Sequence, residues 1–410
     1  MITRHIQTKV CIIGAGPAGA TTSIFLSKLK VEHVIVDAAT FPRTKVCGDG
    51  LDCVTVRMLN HIDKNIVTEE LPLHEHFLPS WGIRSIKPSG KNIDFSLKPT
   101  NNSTNQNCPF FVSKRFHFDA FLISKINPEF ATFKQKTTVN TIVKEGDTWK
   151  LYATDDQGDL LIECKMLVGA DGDHSVVLKH LGERKIDRQH YAGSVRQYFT
   201  NVQGLHADNL LEFYFPKNIP MSYFWIFPMA NGECNVGYGV LSEIAAKQKI
   251  NIKQVFADII QNDTAVADRF SQAKAVESMQ GWGLPLASRK RKVVGDGWLL
   301  VGDAASMITP SNGEGIGNSM KTGYFAAHFI KKAIDNNRFS ETDFANYSVS
   351  IFKSLEGEIK SHHFYLKYPS LSNWVMNNLV QDNFLHQYVI KKVMRGWVNT
   401  AYNKTIHINY

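Results

Sequence analysis

Gly14-Ala15-Gly16-Pro17-Ala18-Gly19 decides the fold of this chain, because it matches the pattern G-x-G-x-x-G between two recognisable elements. Residues 9–13, which are apolar after Lys9, come directly before it and predict a buried strand. Residues 17–29 predict a helix, and residues 34–37 predict a second strand. This β-α-β order predicts the start of a parallel sheet.

Each position of the glycine pattern has a physical role in binding a dinucleotide. Gly14 permits the tight turn, Gly16 lets the backbone approach a pyrophosphate, and Gly19 lets helix and strand pack closely. The N-terminus of the helix, which includes Ala18, presents N–H groups and a positive dipole end to the phosphates. Asp37 ends the second strand, where its carboxylate can accept hydrogen bonds from ribose hydroxyls. We therefore predict that these five residues belong to a dinucleotide site.

Two later segments resemble a known group of flavoproteins. Residues 167–172, Leu-Val-Gly-Ala-Asp-Gly, resemble the Asp-Gly motif of the para-hydroxybenzoate-hydroxylase-like flavoproteins. Residues 299–305, Leu-Leu-Val-Gly-Asp-Ala-Ala, resemble their Gly-Asp motif. The resemblance implies FAD as the cofactor, and it implies contacts to FAD from Arg115, Asp171, Gly302 and Asp303.

Three further segments are similar to the geranylgeranyl reductase family within that group. They are residues 45–51, Lys-Val-Cys-Gly-Asp-Gly-Leu; residues 220–228, which match P-x-x-Y-x-W-x-F-P; and residues 310–316, which match P-x-x-G-E-G-I. A glycine turn before a helix can also supply N–H donors to a reduced flavin. We therefore place the following residues at the cofactor: Arg43, Cys47, Gly48, Pro310, Gly313, Gly315 and Ile316. We expect Glu314 to lie near the cofactor through its backbone rather than to react through its carboxylate. The alternative is that its side chain only caps the next helix.

The candidate catalytic residues are Cys47, Tyr223 and Trp225. Tyr223, Trp225 and Phe227 alternate, so in a strand they share one face, which could form a wall for an apolar substrate or the core face of a sheet. Cys47 follows Arg43 and a lysine closely, and such cations predict a lowered thiol pKa. A small buried side chain is the alternative for this cysteine.

Composition and charge limit the partners of this chain. Its 46 Lys and Arg against 38 Asp and Glu give a net charge of +8, which favours acidic partners or simply solubility. We expect no nucleic acid, because no basic run is interleaved with aromatics. Six cysteines without a C-x-x-C pair give no support for a metal site, and none is assigned. The reductant is an external donor, either ferredoxin-like or NADPH, and the sequence leaves this open.

Localisation depends on the absence of long apolar segments. No apolar run reaches the ~18 residues of a spanning helix, and the polar N-terminus leads directly into a strand, so we expect a cytoplasmic protein. Residues 374–397 carry apolar positions partly at helical spacing, with lysine and arginine nearby. This segment could pack on its own protein or lie on a membrane surface, and both interpretations stay open.

Together these features predict an α/β fold: a Rossmann-type FAD-binding domain, an inserted mixed β-sheet substrate domain and a helical C-terminal region. We expect the FAD-binding domain in residues 1–75, 105–180 and 285–335, the substrate domain in 76–104 and 181–284, and the helical region in 336–410.

The resemblance implies that the chain saturates carbon–carbon double bonds of a prenyl lipid of the geranylgeranyl type, by hydride transfer from reduced flavin. Residues 223–228 also loosely resemble the W-x-W-x-I-P segment of flavin halogenases. A monooxygenase or halogenase acting on an aromatic substrate is therefore one alternative. A non-catalytic protein that binds flavin or lipid is another.

Overall fold

A computed structural model describes residues 4–99, 107–181, 185–371, 384–404, 406 and 408. The strands are β1 (Arg4–Ile13), β2 (His33–Val36), β3 (Gly50–Leu51), β4 (Leu78–Ser80), β5 (Gly82–Ile86), β6 (Asn92–Ser96), β7 (Phe110–Val112), β8 (Ala131–Lys134), β9 (Thr138–Glu145), β10 (Thr148–Asp155), β11 (Gly158–Gly169), β12 (Tyr191–Thr200), β13 (Leu211–Tyr214), β14 (Ser222–Pro228), β15 (Glu233–Leu241), β16 (Lys274–Ala275), β17 (Gln280–Pro285), β18 (Val294–Gly295) and β19 (Trp298–Leu300).

The helices complete the element order. They are α1 (Pro17–Lys28), α2 (Cys53–Ile62), α3 (Leu71–Leu73), α4 (Arg115–Ser124), α5 (Val176–His180), α6 (Ser242–Lys247), α7 (Ile252–Asn262), α8 (Ile316–Asn336), α9 (Ala345–Lys353), α10 (Glu356–Lys367) and α11 (Phe384–Asn403). A π-helical turn, Ile66–Glu70, precedes α3.

The first sheet carries the glycine turn. Its order is β18-β19-β11-β1-β2-β8, with β10 on β11 and β9 on β10. The pairs β19–β11, β11–β1, β1–β2 and β2–β8 are parallel, as the β-α-β pattern predicts. β1 begins at Arg4 rather than at residue 9, because its first half pairs with β11 while exposing one polar face. An apolar run marks only its fully buried end.

The second sheet is mixed, and it carries the aromatic strand. Its order is β16-β12-β15-β14-β13-β5-β6, with β17 also on β12. Most neighbours are antiparallel, whereas β13 and β5 are parallel. A small third sheet, β3-β7-β4, lies at the loop that contains Cys47. The predicted α/β class with a parallel sheet and a mixed sheet is confirmed.

Helices α1, α2, α8 and α11 pack on one another beside the first sheet. Gly323 of α8 lies so close to α1 that an added Cβ would meet the carbonyl oxygen of Ala18 at 2.5 Å. Asn60 of α2 donates to the carbonyl oxygens of Ala401 and Tyr402 in α11, at 3.2 and 3.1 Å. The start of α8 also lies against the start of α2, because a Cβ on Gly317 would lie 2.6 Å from Thr55 N.

The predicted amphipathic segment 374–397 is only partly described. Residues 374, 375 and 379 lie outside the described residues, as do the side chains of residues 389, 391 and 397. Met394 of α11 is buried, while Lys392, Val393 and Arg395 are exposed. Within the described part of the chain, no helix combines the length and apolarity needed to cross a bilayer.

Candidate cofactor and substrate site

The glycine turn is shaped by close backbone approaches. Gly14 has a φ of +98°, and a Cβ there would lie 2.5 Å from the carbonyl oxygen of Ala170. A Cβ on Gly19 would lie 1.8 Å from the carbonyl oxygen of Gly14. Both glycines are therefore required by the fold itself, and the first joins the glycine turn to the predicted Asp-Gly motif.

Gly16 differs from its two neighbours. A Cβ on this residue would meet only one described atom within 4 Å, Arg43 Nη2 at 3.6 Å. Helix α1 begins directly after Gly16 without a side-chain cap. Backbone N–H groups and a guanidinium thus border one open space, and this arrangement fits a pyrophosphate.

Arg43 and Arg115 converge on one buried acid, Asp119. Arg115 Nε and Nη2 donate to Asp119 Oδ1 and Oδ2 at 2.6 and 2.8 Å, and Arg43 Nη1 lies 2.9 Å from Oδ2. Burial acts to lower the pKa of Arg115, but the charge and hydrogen bonds of Asp119, together with the nearby Cys47, outweigh it and raise that pKa. Asp119 follows Arg115 by one helical turn of α4, so the two side chains lie on one face of that helix.

Two of the three acids predicted at the cofactor bind backbone amides. Asp37 accepts from Ala15 N at 2.7 Å, so its carboxylate helps to hold the glycine turn; its contact with a ribose stays a prediction. Asp171 accepts from Val176 N at 2.7 Å and so caps α5. Burial raises the pKa of Asp171.

The Gly-Asp motif meets the glycine turn through small side chains. Gly302 has a φ of +62°, and a Cβ there would lie 2.9 Å from Ala18 Cβ. Asp303 Oδ1 lies 3.7 Å from the Cβ position of Gly315, which joins the motif to the turn before α8. Burial raises the pKa of Asp303, while the charges of Lys45 and Arg115 oppose this effect.

The turn 310–316 touches the aromatic strand. Tyr223 Oη donates to the carbonyl oxygen of Asn312 at 2.6 Å, and a Cβ on Gly313 would lie 2.6 Å from Oη. Glu314 Oε1 accepts from Gly317 N at 2.9 Å, which is the capping contact considered as the alternative. Pro310 and Ile316 are both buried, and Ile316 is the first residue of α8.

The three aromatic side chains of β14 share one face, as the alternation predicts. The ring centroids of Tyr223 and Trp225 are 5.7 Å apart, and those of Trp225 and Phe227 are 6.3 Å apart. Gly48 lies against this face, because its Cβ position is 3.6 Å from Trp225 Nε1. Tyr223 is half-buried, whereas Trp225 is only 6% exposed. The face thus borders the Cys47 loop.

The prediction of a lowered thiol pKa for Cys47 is wrong. Burial raises its pKa above the ordinary 9.0, and the nearby Arg115 opposes this only in part. The lysine and arginine adjacent in sequence are engaged elsewhere: Lys45 Nζ lies 3.1 Å from the ring centroid of Trp282, and Arg43 pairs with Asp119. The thiol is therefore protonated at neutral pH.

The raised pKa of Cys47 predicts slow alkylation. At pH 7 iodoacetamide should modify Cys47 more slowly than free cysteine, and the rate should climb steeply above pH 9 as the thiolate forms. Peptide mass spectrometry of samples quenched over time measures this. Cys234 is the internal control, because burial raises its pKa to about 12 and its side chain is 1% exposed. Fast modification of Cys47 at pH 7 would contradict the expectation.

Sequence reasoning missed Asp49, the most connected acid of the site. Its side chain is fully buried, and its carboxylate accepts from Tyr198 Oη at 2.5 Å, Asn235 Nδ2 at 2.8 Å and Arg115 N at 3.2 Å. Asp49 also has a φ of +63°. The G-D-G sequence signals a turn, but its partners lie far away in the chain.

Comparison with known proteins agrees with this geometry. The model of the family described as "FAD binding domain" matches residues 7–338. The digeranylgeranylglycerophospholipid reductase of Methanocaldococcus jannaschii is 29% identical over 341 residues, which cover 82% of this chain and 80% of that protein. The menaquinone reductase of Mycobacterium tuberculosis is 27% identical over 78% of this chain and 76% of its own length.

Two solved structures share the fold. A geranylgeranyl bacteriochlorophyll reductase-like protein from Thermoplasma acidophilum superposes with a TM-score of 0.75 at 21% identity, over 99% of this chain and 94% of that one. A flavin-dependent halogenase superposes with a TM-score of 0.72 at 19% identity, over 98% of this chain and 72% of that one. The similarity to geranylgeranyl reductases inferred from the motifs is confirmed.

Proposed function

This chain belongs to the FAD binding domain family, and we propose that it is a reductase that saturates carbon–carbon double bonds of a geranylgeranyl-type prenyl lipid. FAD is its cofactor. One observation carries the proposal: Tyr223 of the aromatic strand donates to Asn312 of the glycine turn, while Trp225 packs on the Cys47 loop. The three segments similar to geranylgeranyl reductases therefore meet at one place.

The residues that would hold FAD form a continuous cradle. Gly16, the start of α1 and Arg43 would bind the pyrophosphate, and Asp37 would bind the ribose. Asp303 and the turn around Gly315 would face the opposite end of the cofactor. When bound and reduced, FAD supplies the hydride for the reaction.

The aromatic strand would hold and orient the substrate. Tyr223, Trp225 and Phe227 present one continuous apolar face, and Phe213 extends it with ring centroids 5.8 Å from Tyr223 and 5.3 Å from Phe227. Such a face binds a prenyl chain through its apolar area and excludes water from the reacting carbons.

Saturation of a double bond also consumes a proton. Burial raises the pKa of Tyr223, and burial raises the pKa of Cys47, so both groups keep their protons at neutral pH. The Tyr223 phenol, which is hydrogen-bonded to the Asn312 carbonyl oxygen, and the half-buried Cys47 thiol are thus two groups near the aromatic face that carry a proton. They are the catalytic candidates together with Trp225, whose ring faces can stabilise positive charge that develops on the alkene.

The relatives support an apolar substrate but leave its identity to experiment. One relative is named for a digeranylgeranylglycerophospholipid and the other for menaquinone, so a prenyl lipid or prenyl quinone is the substrate class proposed. The electron donor, ferredoxin-like or NADPH, and contact with a membrane surface stay predictions. Location in the cytoplasm and the predicted domain ranges stay predictions as well.

A flavin-dependent halogenase or monooxygenase is the second candidate, because a halogenase shares the fold over 98% of this chain. Oxygen separates the candidates. We expect dithionite-reduced protein, mixed with geranylgeranyl lipid under anaerobic conditions, to give a product that gains two hydrogens per saturated bond. Mass spectrometry of the lipid measures this gain. A product that forms only in air and gains oxygen or halogen would replace the proposal, and no turnover with any reductant would favour a non-catalytic binding protein.

A further inference from the structure

A chain of buried hydrogen bonds runs from the Cys47 loop to the aromatic strand. Trp225 Nε1 donates to Asn235 Oδ1 at 2.9 Å. Asn235 Nδ2 donates to Asp49 Oδ2 and to the carbonyl oxygen of Cys47, each at 2.8 Å. Both Asn235 and Asp49 are fully buried. One amide therefore joins the indole of the aromatic strand to the backbone and the acid of the loop.

The amide of Asn235 has only one satisfactory orientation. Turning it over would place its oxygen against the Asp49 carboxylate and its NH2 group against the indole N–H of Trp225. Two acceptors would then face each other at one end of the amide and two donors at the other end. Each end would cost about as much free energy as one lost hydrogen bond. Asp49 therefore fixes the orientation of the Asn235 amide, and that amide fixes the position of the Trp225 indole N–H.

Asp49 itself is held from several sides. Tyr198 Oη and Arg115 N donate to its carboxylate, at 2.5 and 3.2 Å. Two cations lie over the Tyr198 ring. The Arg196 guanidinium is 4.1 Å from the ring centroid, and the Lys114 ammonium is 4.5 Å from it. Tyr198 Oη, Asn235 Nδ2 and Arg115 N all donate to the carboxylate, and donors of this kind suit an ionised acid. Burial raises the pKa of Asp49, and these donors and Arg196 oppose the rise.

Glycines make room for the indole in this position. Trp225 pairs with Gly237 of β15, where a Cβ would lie 2.1 Å from the indole Cζ2. On the loop, the Cβ position of Gly48 is 3.6 Å from Trp225 Nε1. The backbone at Gly237 and Gly48 therefore confines the ring, and the Asn235 amide fixes its N–H.

We propose that Asp49 is a positioning residue of the reductase: through Asn235 it fixes the Trp225 ring against the Cys47 loop, and so holds the aromatic strand and the loop that carries the thiol in one arrangement. The inference rests on the proposed function. It predicts that loss of the Asp49 charge disturbs turnover more than substrate binding, since the apolar face keeps its area while the reacting groups lose their alignment.

The test is Asp49→Asn, which keeps the side-chain size and tolerates the positive φ. We expect kcat to fall about tenfold, equivalent to about 1.4 kcal/mol, while KM changes by less than about twofold. Asp263→Asn is the matched control, because Asp263 also accepts from a tyrosine of the second sheet, Tyr214 Oη at 2.6 Å. This hydrogen bond is not part of the chain that leads to the Trp225 indole. The control should keep wild-type kcat.

A readout independent of turnover is the indole 1H–15N signal of Trp225, identified by its loss in Trp225→Phe. It should shift in Asp49→Asn and stay in place in Asp263→Asn. If Asp49→Asn fails to fold, Tyr198→Phe removes one donor to the carboxylate and should still shift the signal. An unmoved signal would overturn the inference, even if wild-type protein reduces no prenyl lipid and the proposed function itself fails.

A double-mutant cycle tests whether Asp49 acts through Trp225. Because Trp225→Phe already lacks the indole N–H, adding Asp49→Asn should lower kcat by less than it does alone. Additive losses of kcat would show that Asp49 acts by another route and would overturn the inference.

Discussion

Gly16→Val is expected to leave a folded protein that no longer retains FAD. Among the described atoms, the Cβ would lie within 4 Å only of Arg43 Nη2, at 3.6 Å, and the backbone of Gly16 is extended, with φ −68° and ψ −174°. The added methyl groups would instead occupy the space where the pyrophosphate approaches the N–H groups of α1. Losing two hydrogen bonds to charged groups, at about 1.5–3 kcal/mol each, weakens FAD binding by about 100-fold or more.

Thermal unfolding and the flavin absorbance of purified protein separate folding from binding. Gly14→Ala is the contrasting variant, because its Cβ would lie 2.5 Å from the carbonyl oxygen of Ala170 and its φ is +98°, so the fold itself should fail. Gly357→Ala in α10 is the neutral control, since no atom of the described residues beyond its own helix turn lies within 4 Å of its Cβ position. If Gly16→Val kept FAD at wild-type affinity, the pyrophosphate would have to bind elsewhere.

The glycine turn could be predicted because its information is local. Strand, turn and helix follow one another within about 20 residues, and each glycine has a steric reason that neighbouring residues supply. The alternation of Tyr223, Trp225 and Phe227 is equally local, since a strand places every second side chain on one face. Distant residues do not alter local patterns of this kind, so the sequence alone predicts them.

The properties of Cys47 and Asp49 could not be predicted, because distant residues set them. The sequence places Arg43 and Lys45 near the thiol, but folding commits the first to Asp119 and places the second over Trp282. Burial then decides the direction of the pKa. Asp49 depends on donors from β12 and β15, which follow it by about 150 residues or more and have no signature in its own neighbourhood.

Trp225→Ala should abolish most of the anaerobic hydrogenation of prenyl lipid. The side chain is 6% exposed and joins the aromatic face to the Cys47 loop, so its removal takes apolar surface and the fixed indole from the site. We expect turnover per FAD-bound molecule to fall about 100-fold, since both substrate orientation and alignment are lost. Truncating a large buried aromatic also lowers the free energy of unfolding by about 3–5 kcal/mol.

Stability loss alone could lower activity, so the control must be destabilised to the same degree. Phe224→Ala is matched to Trp225→Ala: Phe224 lies on the same strand, is fully buried and packs on the opposite face, with its ring 5.8 Å from that of Phe256. Its loss should lower the free energy of unfolding by about the same 3–5 kcal/mol while turnover per FAD-bound molecule stays near wild type. Equal losses of turnover in both variants would identify Trp225 as an ordinary core residue, the alternative that its burial also allows, and would remove the aromatic face from the proposed substrate site.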